Sequence, residues 1–268
     1  MILQPFNPAY EEKVIRGEEL NQLFIAGKVV ETRAKMVNLP FAAPFSPIPP
    51  YTYIEKEVEI FMQPTRLFLV RHGQTDWNLA GRLQGQTDIP LNDTGRQQAE
   101  EARQRLSGVQ FDAVYSSPLS RAVETAILVS GWPADRVRTD ERIKEIAFGD
   151  WEGKAPRTLG DDFAPFFADP ARFVPAPGGE SLPALMARVS DFTAYVKQAH
   201  RGQTVLAVSH GAALHALFTA ELGLDMKDYW SVGLGNCAAA ELVLEGERFV
   251  LKSTSGPTSA NYLEKYLK

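Results

Sequence analysis

The sequence predicts an α/β fold, a three-layer α/β/α sandwich around a mainly parallel central sheet, preceded by an N-terminal extension. Two observations carry this reading. From residue 66 onward, short apolar runs of β-type residues alternate with stretches of helical periodicity, the pattern of βαβ units covered on both faces of their sheet. The conspicuous polar residues also gather directly after those runs, where a parallel sheet ends its strands and binds its ligands.

Strands are expected at 67–70, 113–115, 204–208, 238–244 and 249–252. Between them, helices are expected over 94–107, 117–130, 181–200 and 211–223. The second of these is specified at both ends: Ser117 can cap, Pro118 suits the first helical position, Leu119, Ala122, Val123, Ala126 and Ile127 form an apolar stripe, and Gly131 terminates it. Helix 181–200 repeats the stripe with Leu182, Leu185, Met186, Val189 and Val196.

Ahead of this block, Pro40, Pro44, Pro47, Pro49 and Pro50 exclude helix interior and central strand, so the stretch reads as an extended linker. Residues 11–27 are expected as a short amphipathic helix and 53–61 as an edge strand. The domain organisation expected is therefore an extension with a Pro-rich linker over 1–61 and an α/β domain over 62–268, opening at Met62. No internal repeat is visible.

Composition narrows the function. A chain of 268 residues, 44% hydrophobic and 23% charged, can build a large globular core. Its net charge of −5 argues against a nucleic-acid or anionic membrane surface as the main partner, although a local basic pocket is compatible with it. The lone cysteine, Cys237, excludes an intramolecular disulfide and points to a reducing compartment, with the cytoplasm as the expectation. The first residues lack the basic-then-apolar pattern of an export signal, and the apolar runs are too short to span a bilayer.

Three polar clusters follow strands: Arg71-His72-Gly73, Ser116 to Arg121, and Ser209-His210-Gly211. At the carboxyl edge of one sheet they form a single site. Two lead into helices, whose first amides favour an anion, and Arg71 and Arg121 offer planar forks that match phosphate oxygens. The inferred ligand is a phosphoryl group. Between two arginines an imidazole is disfavoured in its protonated form, so His72 can act as nucleophile toward phosphorus while a main-chain carbonyl holds its other ring nitrogen. Gly73 is expected to clear that approach, and His210 to add a donor to the equatorial oxygens. A leaving alkoxide needs a proton, for which "DERIKEIAFGDWEG" offers Glu141, Glu145 and Glu152; the residues by themselves leave the choice open.

Taken in order, "LVRHGQTDWN", "SSPLSRAVETA", "KEIAFGDWEG", "PGGESL" and "VSHG" resemble the histidine phosphatase superfamily, the phosphoglycerate mutase-like fold, over about residues 66–253. The resemblance implies phosphorylation of His72, a phosphate pocket completed by Arg71, Arg121 and His210, and Glu145 as proton donor. It also implies substrate or phosphate contacts from Asn78, Gln84 and Gly85, with Gly211 beside the second histidine. Mutases of the family carry an added basic insertion with an adjacent arginine pair. Here only the scattered Lys154, Arg157 and Arg172 occupy that stretch, so hydrolysis of a phosphomonoester is expected, with a cofactor-dependent phosphoglycerate mutase as the alternative. An alternative of another class is a phosphate-binding scaffold acting through residues 1–61; the presence of all five site residues argues for an enzyme.

No metal and no cofactor are expected, because the four histidines lack ligand spacing with clustered carboxylates. Cys237 has no arginine-rich phosphate loop beside it and is expected to fill space. His215 is expected to pack or bond locally, and His200 to face solvent or partner the helix dipole at a helix end. Phe163, Phe166, Phe167 and Phe173 form either an apolar lid or anchors for a long crossover, with anchoring as the expectation. The partner expected is a small phosphate ester, and a homodimer is compatible with the sequence.

Overall fold

The computed structural model describes residues 63–257 and, as backbone alone, two strands of the N-terminal region. The chain divides into two units, Met1–Met62 and Gln63–Lys268. In the first, β1 (Asn21–Ile25) pairs antiparallel with β2 (Lys28–Thr32). This corrects the helix expected over 11–27: a β-branched segment immediately downstream offers a hairpin partner, and pairing overrides helical periodicity. The expected linker and the edge strand at 53–61 lie outside the described residues.

The second unit holds a six-stranded sheet. Its strands are β3 (Arg66–Arg71), β4 (Ala113–Ser116), β5 (Arg138–Thr139), β6 (Thr204–Ser209), β7 (Ala239–Glu245) and β8 (Arg248–Ser255). They lie in the order β5-β4-β6-β3-β7-β8. β5, β4, β6 and β3 are mutually parallel and β7 runs against them, so the sheet is mixed with one reversed strand. The two-residue β5 was not expected; it is too short to carry periodicity.

Alternation along β3 shows how the layers form. Leu67 and Leu69 enter one apolar cluster with Phe192, Leu185 and Phe218, whereas Phe68 and Val70 enter the opposite one with Ala99, Ala122 and Ala126. The first face is covered by α5 (Leu182–Ala199) and α6 (Gly211–Leu222), the second by α2 (Asp93–Arg105) and α3 (Ser120–Ser130), while α1 (Asp76–Leu79) and α4 (Ala164–Ala168) are short helices in the connections. Each large apolar side chain so buried stabilises the fold by roughly 1.5–3 kcal/mol relative to exposure. Gly131 ends α3 in the left-handed region at φ 70°, as expected.

The start of α3 differs from expectation. Ser117 N–H donates to the Val208 carbonyl, so the chain is still tied to the sheet at that residue, and the helix begins at Ser120. His200 also differs. It is buried, with Nε2 2.9 Å from the Tyr115 hydroxyl and Nδ1 2.6 Å from Gln203 Oε1. An aromatic hydroxyl brought over by β4 gives this helix-end imidazole a partner that local sequence does not reveal. Among the described residues no helix is long and apolar enough to cross a membrane.

Candidate active site

Parallel register brings the three polar clusters level: Arg71 lies opposite Ser209, and Ser116 opposite Val208. The loops after β3, β4 and β6 therefore leave the same edge. His72 is fixed at both ends, its N–H donating to the Ser209 carbonyl at 2.9 Å and its own carbonyl accepting from Asn236 Nδ2 at 2.8 Å. Its Nδ1 lies 2.7 Å from the Gly73 carbonyl, which can only accept; Nδ1 therefore carries the proton and Nε2 the lone pair. Burial, then the guanidiniums of Arg121 and Arg71, hold this imidazole well below its usual pKa, outweighing the Gly73 carbonyl. The ring of His210 lies 5.0 Å away, centroid to centroid, and its pKa is lowered well below the usual value by burial, Arg121, His72 and Arg71.

Four atoms around His72 are buried with no partner among the described residues: Arg71 Nε, Arg121 Nε, and both ring nitrogens of His210. An unpaired buried donor costs about 1–3 kcal/mol, so a concentration of them marks a place built for a guest with several acceptors. Two guanidiniums make that guest an anion, and their geometry suits tetrahedral phosphate oxygens.

The supposed anion-binding helix ends require a correction. The first amides of α6 are taken by Glu145, whose Oε1 accepts from Ala213 N at 3.0 Å and whose Oε2 accepts from Ala212 N at 3.3 Å. At α3, Asp88 Oδ1 accepts from Ser120 N and Oγ. Carboxylates of the chain itself occupy both positive dipole ends, so the phosphate cradle consists of side chains. Gly73 also has a different reason from the one expected. A Cβ there would lie 2.4 Å from the Gly95 carbonyl, so the missing side chain lets the loop press backbone to backbone on α2; it does not clear an approach to the ligand.

The three carboxyl candidates separate cleanly. Glu141 is exposed and pairs with Lys144. Glu145 lies at the site, its Oε2 and Arg71 Nε each within 4 Å of the space beside Gly211. Glu152 lies under the loop of residues 85–87: its Oε1 accepts from Gln86 N and Phe148 N, its Oε2 from Thr87 N and Oγ. That loop holds Arg121, whose two terminal nitrogens donate to the carbonyls of Gly85 at 2.7 Å and Thr87 at 2.9 Å. Gly85 sits at φ +53°, where a Cβ would strike the Glu152 carboxylate.

Of the other residues named from the sequence, Asn78 Oδ1 is committed to a capping box with Thr75, and Gln84 Oε1 accepts from the Thr75 hydroxyl at 2.8 Å. Both thus shape the loop after β3, and Gly211 opens α6 between Arg71 and Glu145. Residues that sequence reasoning missed act from behind. Arg188 donates to the carbonyls of Arg142, Lys144 and Glu145 while paired with Glu180, clamping the segment that carries Glu145. Glu180 stands in the "GGES" stretch, which was the available signal. Burial pushes the Cys237 thiol up to about 12, in keeping with a space-filling role.

An α/β sheet with paired imidazoles and paired guanidiniums at its carboxyl edge defines a phosphate-ester enzyme. The model of the histidine phosphatase superfamily (branch 1) matches residues 67–255, and the chain belongs to that family. Phosphoserine phosphatase 1 of Hydrogenobacter thermophilus is 36% identical over 190 residues, covering 69% of this chain and 90% of that protein. The adenosylcobalamin/alpha-ribazole phosphatase of Escherichia coli is 33% identical, covering 62% and 83% of the two chains. Among solved structures, phosphoserine phosphatase from Entamoeba histolytica in complex with 3-phosphoglyceric acid superposes with a TM-score of 0.65 at 33% identity, covering 72% of this chain and 98% of that one. The chain is a phosphoric monoester hydrolase.

Proposed function

We propose that the chain hydrolyses phosphomonoesters of small metabolites through a phosphohistidine on His72, with Glu145 as general acid and then general base, and without a metal ion. The observation that carries this reading is the ring of unpartnered buried donors on Arg71, Arg121 and His210 around a neutral imidazole whose Nε2 bears a lone pair. In the first step the Nε2–P bond forms as the P–O ester bond breaks, and Glu145 gives its proton to the departing alkoxide. In the second, water attacks phosphorus, its proton passes to Glu145, and the N–P bond breaks to release phosphate. Arg71, Arg121 and His210 stabilise charge on the equatorial oxygens in both. Asn236, Arg188 and Glu152 position His72, Glu145 and Arg121 respectively.

The test is a panel of phosphomonoesters assayed in chelator on wild type and His72→Ala, with acid-labile, base-stable phosphoenzyme measured alongside. Wild type forms the phosphoenzyme and turns over; the variant loses on the order of 10⁴-fold or more in kcat. Turnover surviving the substitution, or dependent on a divalent cation, sinks the mechanism.

A further inference from the structure

Beside the phosphate cradle lies a cavity of about 490 Å³, a size suited to a small organic group. Arg71 lines it together with Phe167, His215, Trp230, Leu234 and Pro257. Arg71 also has its Nε, with Glu145 Oε2, within 4 Å of the space beside Gly211, so one side chain borders both the cavity and the neighbourhood of that carboxylate.

The four phenylalanines of the crossover resolve unequally. Phe163, Phe166 and Phe173 are buried in the core, as anchors, whereas Phe167 is 54% exposed and turns onto the cavity against Trp230. His215 Nδ1 donates to the Tyr229 carbonyl at 3.1 Å, leaving Nε2 as an acceptor. Burial lowers the pKa of this ring to about 4, so it brings no charge at neutral pH. Arg71 is the one cation lining the cavity among the described residues, and the phosphate claims it.

We propose that this cavity holds the alcohol part of the ester and selects uncharged alcohols with an apolar or aromatic face over alcohols that carry a carboxylate. Volume does not discriminate, since a serine or glycerate moiety fits easily. Charge does: a carboxylate entering here gives up its hydration among aromatic rings and finds no cation of its own, while an aromatic or aliphatic group buries apolar surface against Phe167 and Trp230. The proposal rests on the hydrolytic reading above and adds the substrate class to it.

Benzyl phosphate, O-phosphoserine and 3-phosphoglycerate all place the phosphate on an aliphatic oxygen. Their kcat/KM values on the full chain compare the alcohols with little influence from leaving-group acidity. Benzyl phosphate is expected to be favoured by about tenfold or more. Phe167→Arg, and independently Pro257→Arg on the exposed rim, place a cation at the cavity. Each is expected to narrow the benzyl-to-phosphoserine ratio by about tenfold. A wild-type preference for phosphoserine or 3-phosphoglycerate, or a ratio unmoved in both variants, overturns the subsite. His72→Ala separates the two levels: a carboxylate preference that vanishes with His72 leaves the hydrolytic reading intact, whereas turnover persisting in that variant removes both.

Discussion

At the carboxyl edge of the sheet, His72, Arg121 and Glu145 are each held by backbone atoms: carbonyls on the imidazole and the guanidinium, amides of α6 on the carboxylate. In the crossover of residues 156–173, short 3₁₀ turns and the five-residue α4 (Ala164–Ala168) are held chiefly by aromatic rings. There Phe166 packs 4.8 Å from both Phe173 and Trp230, centroid to centroid. Hydrogen bonds to the main chain set a side chain's position to a fraction of an ångström, because they are directional and belong to the sheet itself. Ring packing tolerates substitution of similar volume and so leaves room for a different pocket. The edge that carries the imidazoles and guanidiniums is built from the first material and the crossover from the second.

That contrast can be broken or sharpened by substitution. Glu145→Gln strikes the chemical edge: kcat is expected to fall by about 10²–10⁴-fold on alkyl phosphates and far less on a nitrophenyl ester, whose leaving group needs no proton. Equal losses on both would reduce Glu145 to a cap for α6. Phe166→Ala strikes the other region. It should cost about 3–5 kcal/mol in denaturant unfolding while leaving kcat on a small ester within a few-fold for the folded fraction; a collapse of kcat would mean that the regions are not separable.

Glu152→Ala tests whether the edge reaches back to a residue that touches no reacting atom. Loosening the Gly85 and Thr87 carbonyls should misalign Arg121 and lower kcat/KM by about 10–100-fold, with inhibition by inorganic phosphate weakened in parallel and part of both restored in Glu152→Gln. Unchanged phosphate affinity would confine Glu152 to loop stability.

The smallest effect concerns pH. The folded pKa of His215, about 4, lies below its unfolded value near 6.5, so the unfolded chain binds a proton that the folded chain refuses between those values. Stability therefore falls as pH drops through that window. His215→Gln should flatten the slope by about one proton, as read from urea unfolding at pH 4–7; His72 and His210, shifted in the same direction, should keep the remainder. An unaltered slope would place the charged form of His215 in contact with water.

Much of the site was legible because its residue types are rare and follow strands. Arg-His-Gly after one apolar run and Ser-His-Gly after another need only the α/β reading to bring them together, and Arg121 joined them because α3 starts at the same edge. Glu145 became identifiable among three carboxyls through motif resemblance, since the intervening turns have no period from which to read direction. The misreadings share a cause. Gly73, Ser117 and His200 were assigned local reasons, yet each is determined by a chain segment far away in sequence: Gly95 on α2, Val208 on β6, Tyr115 on β4.

Alternating apolar runs, the polar knots behind them and the scarcity of histidine and cysteine by themselves pointed to the layered fold and to phosphate chemistry, with His72 as the candidate nucleophile, because hydrophobic period and residue chemistry are local properties. Tertiary structure alone decided which carboxylates cap which helices, that Glu145 lies beside Arg71 and Gly211 while Glu141 pairs with Lys144 and Glu152 holds the loop of residues 85–87, and that Phe167 leaves its three neighbours to line a cavity with Arg71. Those are matters of distance between segments, and distance is set only when the layers pack.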